Sequence, residues 1–394
     1  MAILEILLYF AFAWIMYYLA KKSENFNPEC IGWDRYIICF MLFFSIICAF
    51  RWRVGGDCTS YALEFISGKH KGGNENSEVL WESMVQTFAQ RHIHWSFGFG
   101  LVGFIQILMI VLAVRKYPQI FIMLPFVMFG GRYFQDMAGA VRQMTVACGF
   151  LWASKFIYQK KLLKYIAFVY VGTLIHGSAI ILLPFYFIPK SLHFEKRRYI
   201  LISILLICWI IGLSPAYQSL GTQIEKLSLL SGYENYSDLI TNQLEAKDSD
   251  EALSFGPMML TYLIIPIFVI WFGPKLREKY CQVIPYFDLW YNLAYFYACI
   301  YFLVCNLSHI FIRITLPFNV FQMVMASLLL YYLINEFRTT LSHKLIAFIY
   351  CFVIFLNSGW QIYKATDIHG ESVTYKVFFN YGKEWKPLVQ KYQI

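Results

Sequence analysis

KYIAFVYVGTLIHGSAIILLPFYFI, residues 164–188, is an apolar run of 25 residues interrupted near its middle by His176-Gly177-Ser178. A hydrocarbon core about 30 Å thick takes about 20 apolar residues as one helix, so the run is long enough to cross once. Its flanks argue otherwise. Lys160-Lys161 and Lys164 stand at one end, Lys190 and Lys196-Arg197-Arg198 at the other, and short basic loops mark the cytoplasmic face. A single crossing separates the two clusters; a re-entrant hairpin that rises from Lys164, turns at His176-Gly177-Ser178 and descends to Pro189 keeps them together. Irregular backbone at depth is tolerated only where protein or a cavity surrounds it, so the hairpin puts His176 in a polar chamber.

Outward from this run the pattern repeats. The chain is 59% hydrophobic and only 14% charged, and apolar segments recur at about 2–20, 36–50, 97–114, 119–131, 138–158, 199–214, 257–273, 288–305, 310–334 and 344–363. Isolated strands in lipid leave backbone groups unpaired and barrel alternation is missing, so the segments read as helices. The expectation is an all-α polytopic membrane protein of about ten transmembrane helices plus the hairpin, forming a single integral domain over 1–394. Its outward face collects loops 51–96 and 215–256, the stretches 132–142 and 306–313, and the tail 364–394. Loop 215–256 has seven acidic residues against Lys226 and Lys247, which fits that side. Met1 to Ala20, followed by Lys21-Lys22, reads as a retained first helix. The formal charge of +9 sits mostly in short loops and speaks for membrane-lipid contact, not nucleic acid. The ten cysteines lie mostly inside apolar segments without a CxxC, so neither a disulfide framework nor a metal site is indicated.

Charged groups near a bilayer centre cost about 2.5–3.5 kcal/mol on insertion scales and therefore mark partners, cavities or substrates. Arg51, Asp57, Arg142, His176 and Arg313 are such groups. Arg51-Trp52-Arg53-Val54-Gly55-Gly56-Asp57 offers guanidinium forks and glycine amides that suit an anion; the plain reading is headgroup arginines with Asp57 capping a helix. Tyr61, Glu64, Glu78 and Trp81 follow in the same loop. Arg142-Gln143 follows Gly139-Ala140-Val141, and six residues separate Arg142 from Asp136, which puts the two on opposite sides of one helix and disfavours their pairing. His176 offers an imidazole, a side chain suited to proton transfer near neutrality, or is a satisfied packing residue. Asn306, His309 and Arg313 form a later outward cluster. No HExxH, Walker loop, GxSxG or DxD accompanies these residues.

Together the segments resemble the EpsG family of bacterial polysaccharide biosynthesis proteins, related in role to Wzy polymerases of O-antigen and capsule. The resemblance rests on Arg51, Gly55, Asp57 and Tyr61, on Glu78 to Trp81, on Gly139 with Arg142-Gln143, on Lys160-Lys161, and on His176-Gly177-Ser178-Ala179 before Pro184 and Tyr186. Cys58, Gly139-Ala140-Val141 and Gly177 depart from the usual residues without removing a charged one. The resemblance implies a GT-C-like glycosyltransferase that joins undecaprenyl-diphosphate-linked oligosaccharide repeats, donor and acceptor, at the outer face of the cytoplasmic membrane, with a chain-length regulator as partner. On that reading Arg51, Arg142 and Arg313 clamp the diphosphate, and His176, Asp57 or Glu78 serves as catalytic base or orienting group. Arg53, Tyr61, Gln143, Asn306 and His309 contact substrate. Three guanidinium groups make a metal or other cofactor unnecessary, and one base suits inversion. A lipid-linked oligosaccharide flippase, a membrane O-acyltransferase, a ligase or a purely structural partner are the alternatives.

Overall fold

The run 164–188 folds as a hairpin. In the computed structural model, which describes residues 2–51, 54, 57–69, 78–188, 197–214, 257–305, 309–337 and 340–364, helix α10 (Leu162–Thr173) is answered by a returning 3-10 helix, Gly177–Phe187. The Tyr165 hydroxyl donates to the Leu182 carbonyl at 2.6 Å, the Tyr165 and Tyr186 rings lie 5.6 Å apart, and the Lys160 ammonium is 5.7 Å from the Tyr186 ring. The end of the run thus comes back beside its beginning. Twelve α-helical residues rise about 18 Å, short of a bilayer core. The arms approach closely because Gly172 faces Ala179, where an added Cβ would stand 3.0 Å from the alanine methyl. Pro184 denies the returning arm one backbone donor, and a 3-10 run of 11 residues is unusually long for that geometry.

Every regular element among the described residues is helical. Before the hairpin come α1 (Ala2–Phe26), α2 (Arg35–Phe50), α3 (Cys58–Ser67), α4 (Val79–Gln90), α5 (Trp95–Val114), α6 (Pro118–Phe121), α7 (Leu124–Gly130), α8 (Tyr133–Gly139) and α9 (Val141–Tyr158); after it come α11 (Arg198–Leu213), α12 (Pro257–Tyr280), α13 (Phe287–Val304), α14 (His309–Asn335) and α15 (Leu341–Lys364). Among the described residues, Trp95–Val114, Met259–Tyr280 and Ile312–Asn335 are long and apolar enough to cross a membrane. The last is the most enclosed, with 89% of its apolar window buried, and α14 packs against α9, α12, α13, α15 and the short α6 to α8. Large apolar side chains face outward elsewhere, among them Leu163, Phe187, Tyr199 and Phe348. That distribution is inverted relative to a water-soluble surface and suits lipid.

Three boundaries differ from the sequence expectation. The segment 119–131 is broken into α6 and α7, with Pro125 in the first turn of the second piece. The segment expected from 138 is two helices, α8 and α9, separated at Ala140. Loop 51–96 contains α3 and α4, which share a small core of Tyr61, Phe65, Trp81, Val85, Trp95 and Phe99 with the start of α5. These two helices are short and amphipathic, with apolar residues four apart at Tyr61 and Phe65 and at Trp81 and Val85, and no long apolar run announces them. Loop 215–256 and residues 365–394 lie outside the described residues.

Helices α2 and α5 meet through small residues. A Cβ at Gly103 would stand 2.5 Å from Cys48 Cβ and 2.6 Å from its Sγ. Gly103→Val should therefore cost about 1–3 kcal/mol by overpacking, read as a lower unfolding midpoint of the purified protein; an unchanged midpoint would show that the two helices are not in this contact.

Candidate functional site

The hairpin tip is stitched to α4 before any ionised group is considered. The Leu174 carbonyl accepts from the amides of Leu80 and Trp81 at 2.9 and 3.3 Å, which fixes Glu78, the residue preceding α4, beside the turn. Glu78 Oε1 accepts from His176 Nδ1 at 2.8 Å and from the Gly177 amide at 3.0 Å. Its Oε2 accepts from Arg142 Nη1, in the first turn of α9. Glu78 is 5% exposed, so the carboxylate is held where these donors help offset its burial. Because both carboxylate oxygens accept, a neutral His176 carries its proton on Nδ1 and presents Nε2 as the acceptor nitrogen. The imidazole side chain keeps 24% of its surface open, more than either partner.

Aromatic rings hold the other side of Arg142. Its guanidinium carbon lies 5.6 Å from the Tyr61 ring and 5.8 Å from the Trp81 ring, both buried. Burial pushes the Tyr61 phenol up from its ordinary range and the Arg142 charge pulls it back only in part, so the phenol keeps its proton and can bond to the guanidinium. Trp81 Nε1 donates to Glu64 Oε2 at 2.8 Å, and Glu64, 3% exposed, adds a second carboxylate to the Arg142 environment.

A second ion pair closes the approach from the far end of the sequence. Arg313 Nη2 lies 2.5 Å from Asp57 Oδ2, with about half and a third of the respective side chains exposed. Pro317, four residues beyond Arg313, has no N–H, which leaves the Arg313 carbonyl without its helical donor. Gln143 Nε2 supplies one instead, tying α14 to the start of α9 next to Arg142. Arg51 is 2% exposed with its guanidinium carbon 4.5 Å from the Phe99 ring, and its Nε has no hydrogen-bond partner among the described residues.

The structure therefore brings Glu78, Arg142 and His176 into direct contact, sets Tyr61 against Arg142, and joins Gln143, Arg313 and Asp57 through α14. Arg51 reaches this group through the aromatic core that Phe99 shares with Trp81. Arg53 and Asn306 lie outside the described residues, and His309 is described only as backbone at the start of α14. The Asp136–Arg142 pair does not form: Asp136 accepts from Arg132 Nε at 3.1 Å and from Asn319 Nδ2 at 2.7 Å. Glu64 as a buried partner, and the network around Arg132, were missed by sequence reasoning. The four-residue offsets from Tyr61 to Phe65 and from Arg132 to Asp136 were the available signals.

The EpsG family model matches residues 34–381, a span that includes all of these side chains. No curated protein and no solved structure matches the chain.

Burial separates the two ion pairs. Glu78→Ala removes the buried carboxylate shared by a guanidinium and an imidazole and should cost about 3 kcal/mol of stability, whereas Asp57→Ala, at a half-exposed pair, should cost no more than about 1 kcal/mol. Thermal unfolding of both variants in lipid nanodiscs checks this; equal losses would mean that Glu78 is not buried against Arg142.

Proposed function

The chain belongs to the EpsG family, and from that membership we propose that it polymerises undecaprenyl-diphosphate-linked oligosaccharide repeats into a surface polysaccharide, as a Wzy-like glycosyltransferase of the bacterial cytoplasmic membrane. The family supports the coarser part of this reading, a membrane protein of polysaccharide biosynthesis. The finer part is carried by one observation: an imidazole oriented through Nδ1 by a buried carboxylate that is also bound by an arginine. We read the fold as about ten spans and the hairpin in a GT-C-like plan, with the site open to the outer face and membrane lipids around it.

In this mechanism an acceptor hydroxyl is deprotonated by His176 Nε2 as its oxygen attacks the anomeric carbon of the donor repeat. The bond from that carbon to the diphosphate oxygen breaks, and the bond electrons leave with the diphosphate. A diphosphate is a good leaving group, so the remaining task is to stabilise its growing negative charge. Arg142 and Arg313 supply guanidinium forks for it, with Arg51 behind the aromatic wall. Asp57 is the counter-ion that Arg313 holds before substrate arrives, and a diphosphate takes its place. Glu78 orients the imidazole and stabilises the imidazolium. One base and one displacement give inversion at the anomeric carbon, with no step that needs a metal. Tyr61 and Gln143 border the same space, and a chain-length regulator is the natural partner.

Purified protein given a lipid-linked repeat should produce a ladder of glycan lengths. His176→Ala should slow that reaction about 10²- to 10⁴-fold at unchanged membrane abundance, while Asp57→Asn keeps turnover and tightens diphosphate binding. A single discrete product would make the protein a ligase, and poor accumulation of Arg142→Ala with normal specific activity would reduce the arginine to a packing residue.

A further inference from the structure

A hollow with polar side chains in its wall lies between α8, α12, α13, α14 and α15. Asp136 sits in its wall, bound by Arg132 and Asn319 as described, and Arg132 Nη1 also donates to the Tyr262 hydroxyl at 2.8 Å. Arg132 adopts φ +73°, a left-handed conformation that side chains disfavour and that tends to persist where surrounding structure imposes it. Asn319 and Gln322, one turn apart on α14, are 1% and 6% exposed and both line the hollow. Among the described residues the carbonyl oxygens Asn319 Oδ1 and Gln322 Oε1 have no hydrogen-bond partner. Two bare acceptors at this depth call for a donor from a ligand or water.

The chemistry of the walls narrows that donor. Arg132 and Asp136 compensate one another, so neither an anion nor a cation meets an unanswered charge. Tyr297 and Tyr301 add ring faces 5.7 Å apart, and Tyr262 lies 5.5 Å from Tyr301. Carboxamide acceptors beside tyrosine rings match a sugar hydroxyl, which donates to the carbonyl oxygens. The space is about 20 Å³, room for one hydroxyl-sized group and not for a whole ring. Asn319, six residues along α14 from Arg313, and Asp136, six residues before Arg142, put this hollow close in sequence to the proposed diphosphate clamp on two elements.

We propose that this hollow recognises a hydroxyl or hydroxymethyl group of a neutral hexose in the glycan, a subsite that rests on the polymerase reading for its substrate class. It reads sugar identity while the arginines hold the diphosphate. Gln322 is a specificity-determining residue in this assignment, acting through its Oε1 acceptor.

Full-length protein in lipid nanodiscs tests it by saturation-transfer NMR with free glucose, galactose and N-acetylglucosamine, with inorganic pyrophosphate followed separately by its phosphorus signal. At least one hexose should bind, Gln322→Met should weaken that binding about tenfold by removing the acceptor at nearly constant length, and pyrophosphate binding should not change. No binding of any of the three, or equal binding by wild type and Gln322→Met, overturns the assignment. Should the variant fail to accumulate, amide exchange in the wild type decides: the hexose slows exchange over residues 297–301 and 319–322, and unchanged exchange overturns the subsite. Gln322-dependent hexose binding without a glycan ladder would support the subsite and retire the polymerase reading.

Discussion

A single carboxylate organises the candidate site. Glu78 touches the hairpin tip, the start of α9 and the start of α4 together, through His176, Gly177, Arg142 and its own backbone position. Removing a carboxylate from water is costly, and the cost is offset only when several donors surround it. The hairpin turn, the start of α4 and the arginine of α9 are thus mutually dependent. Each supplies part of what offsets the burial of Glu78, and Glu78 in turn ties them together.

The surrounding elements make sense as support for that contact. The α3 and α4 helices bury Tyr61 and Trp81 against the Arg142 guanidinium, so the charge is held by rings on one side and by carboxylates on the other. Pro317 leaves a carbonyl for Gln143, which brings α14 and its Arg313 to the same end of α9. Elements distant in sequence converge because a backbone or side-chain group of each is left unsatisfied until the other arrives.

Much of this was legible in the sequence, and what was not has a physical cause. The hairpin followed from Lys160-Lys161 and Lys196-Arg197-Arg198 flanking one apolar run, a charge argument that needs no knowledge of packing. Arg142 does stand apart from Asp136, but the six-residue offset assumed one helix, and the two lie on α8 and α9 on either side of the break at Ala140. The pairing of Glu78 with His176 did not follow, because 98 residues separate them and only the folded hairpin sets their distance. Helices α3 and α4 were hidden by being short and amphipathic in a chain whose long apolar runs dominate the eye. The Arg132, Asp136 and Asn319 network needed α14 to be placed against α8, which no local pattern reveals.

The bond from His176 Nδ1 to Glu78 carries the proposed chemistry, since it decides which imidazole nitrogen is left as an acceptor. Nitrogen-15 NMR of the His176 ring in the full-length protein in nanodiscs reads this directly. The account predicts a neutral ring protonated on Nδ1 with Nε2 bare, and a shift toward the other tautomer in Glu78→Gln. A ring protonated on Nε2 in the wild type, or a spectrum indifferent to Glu78→Gln, would contradict it.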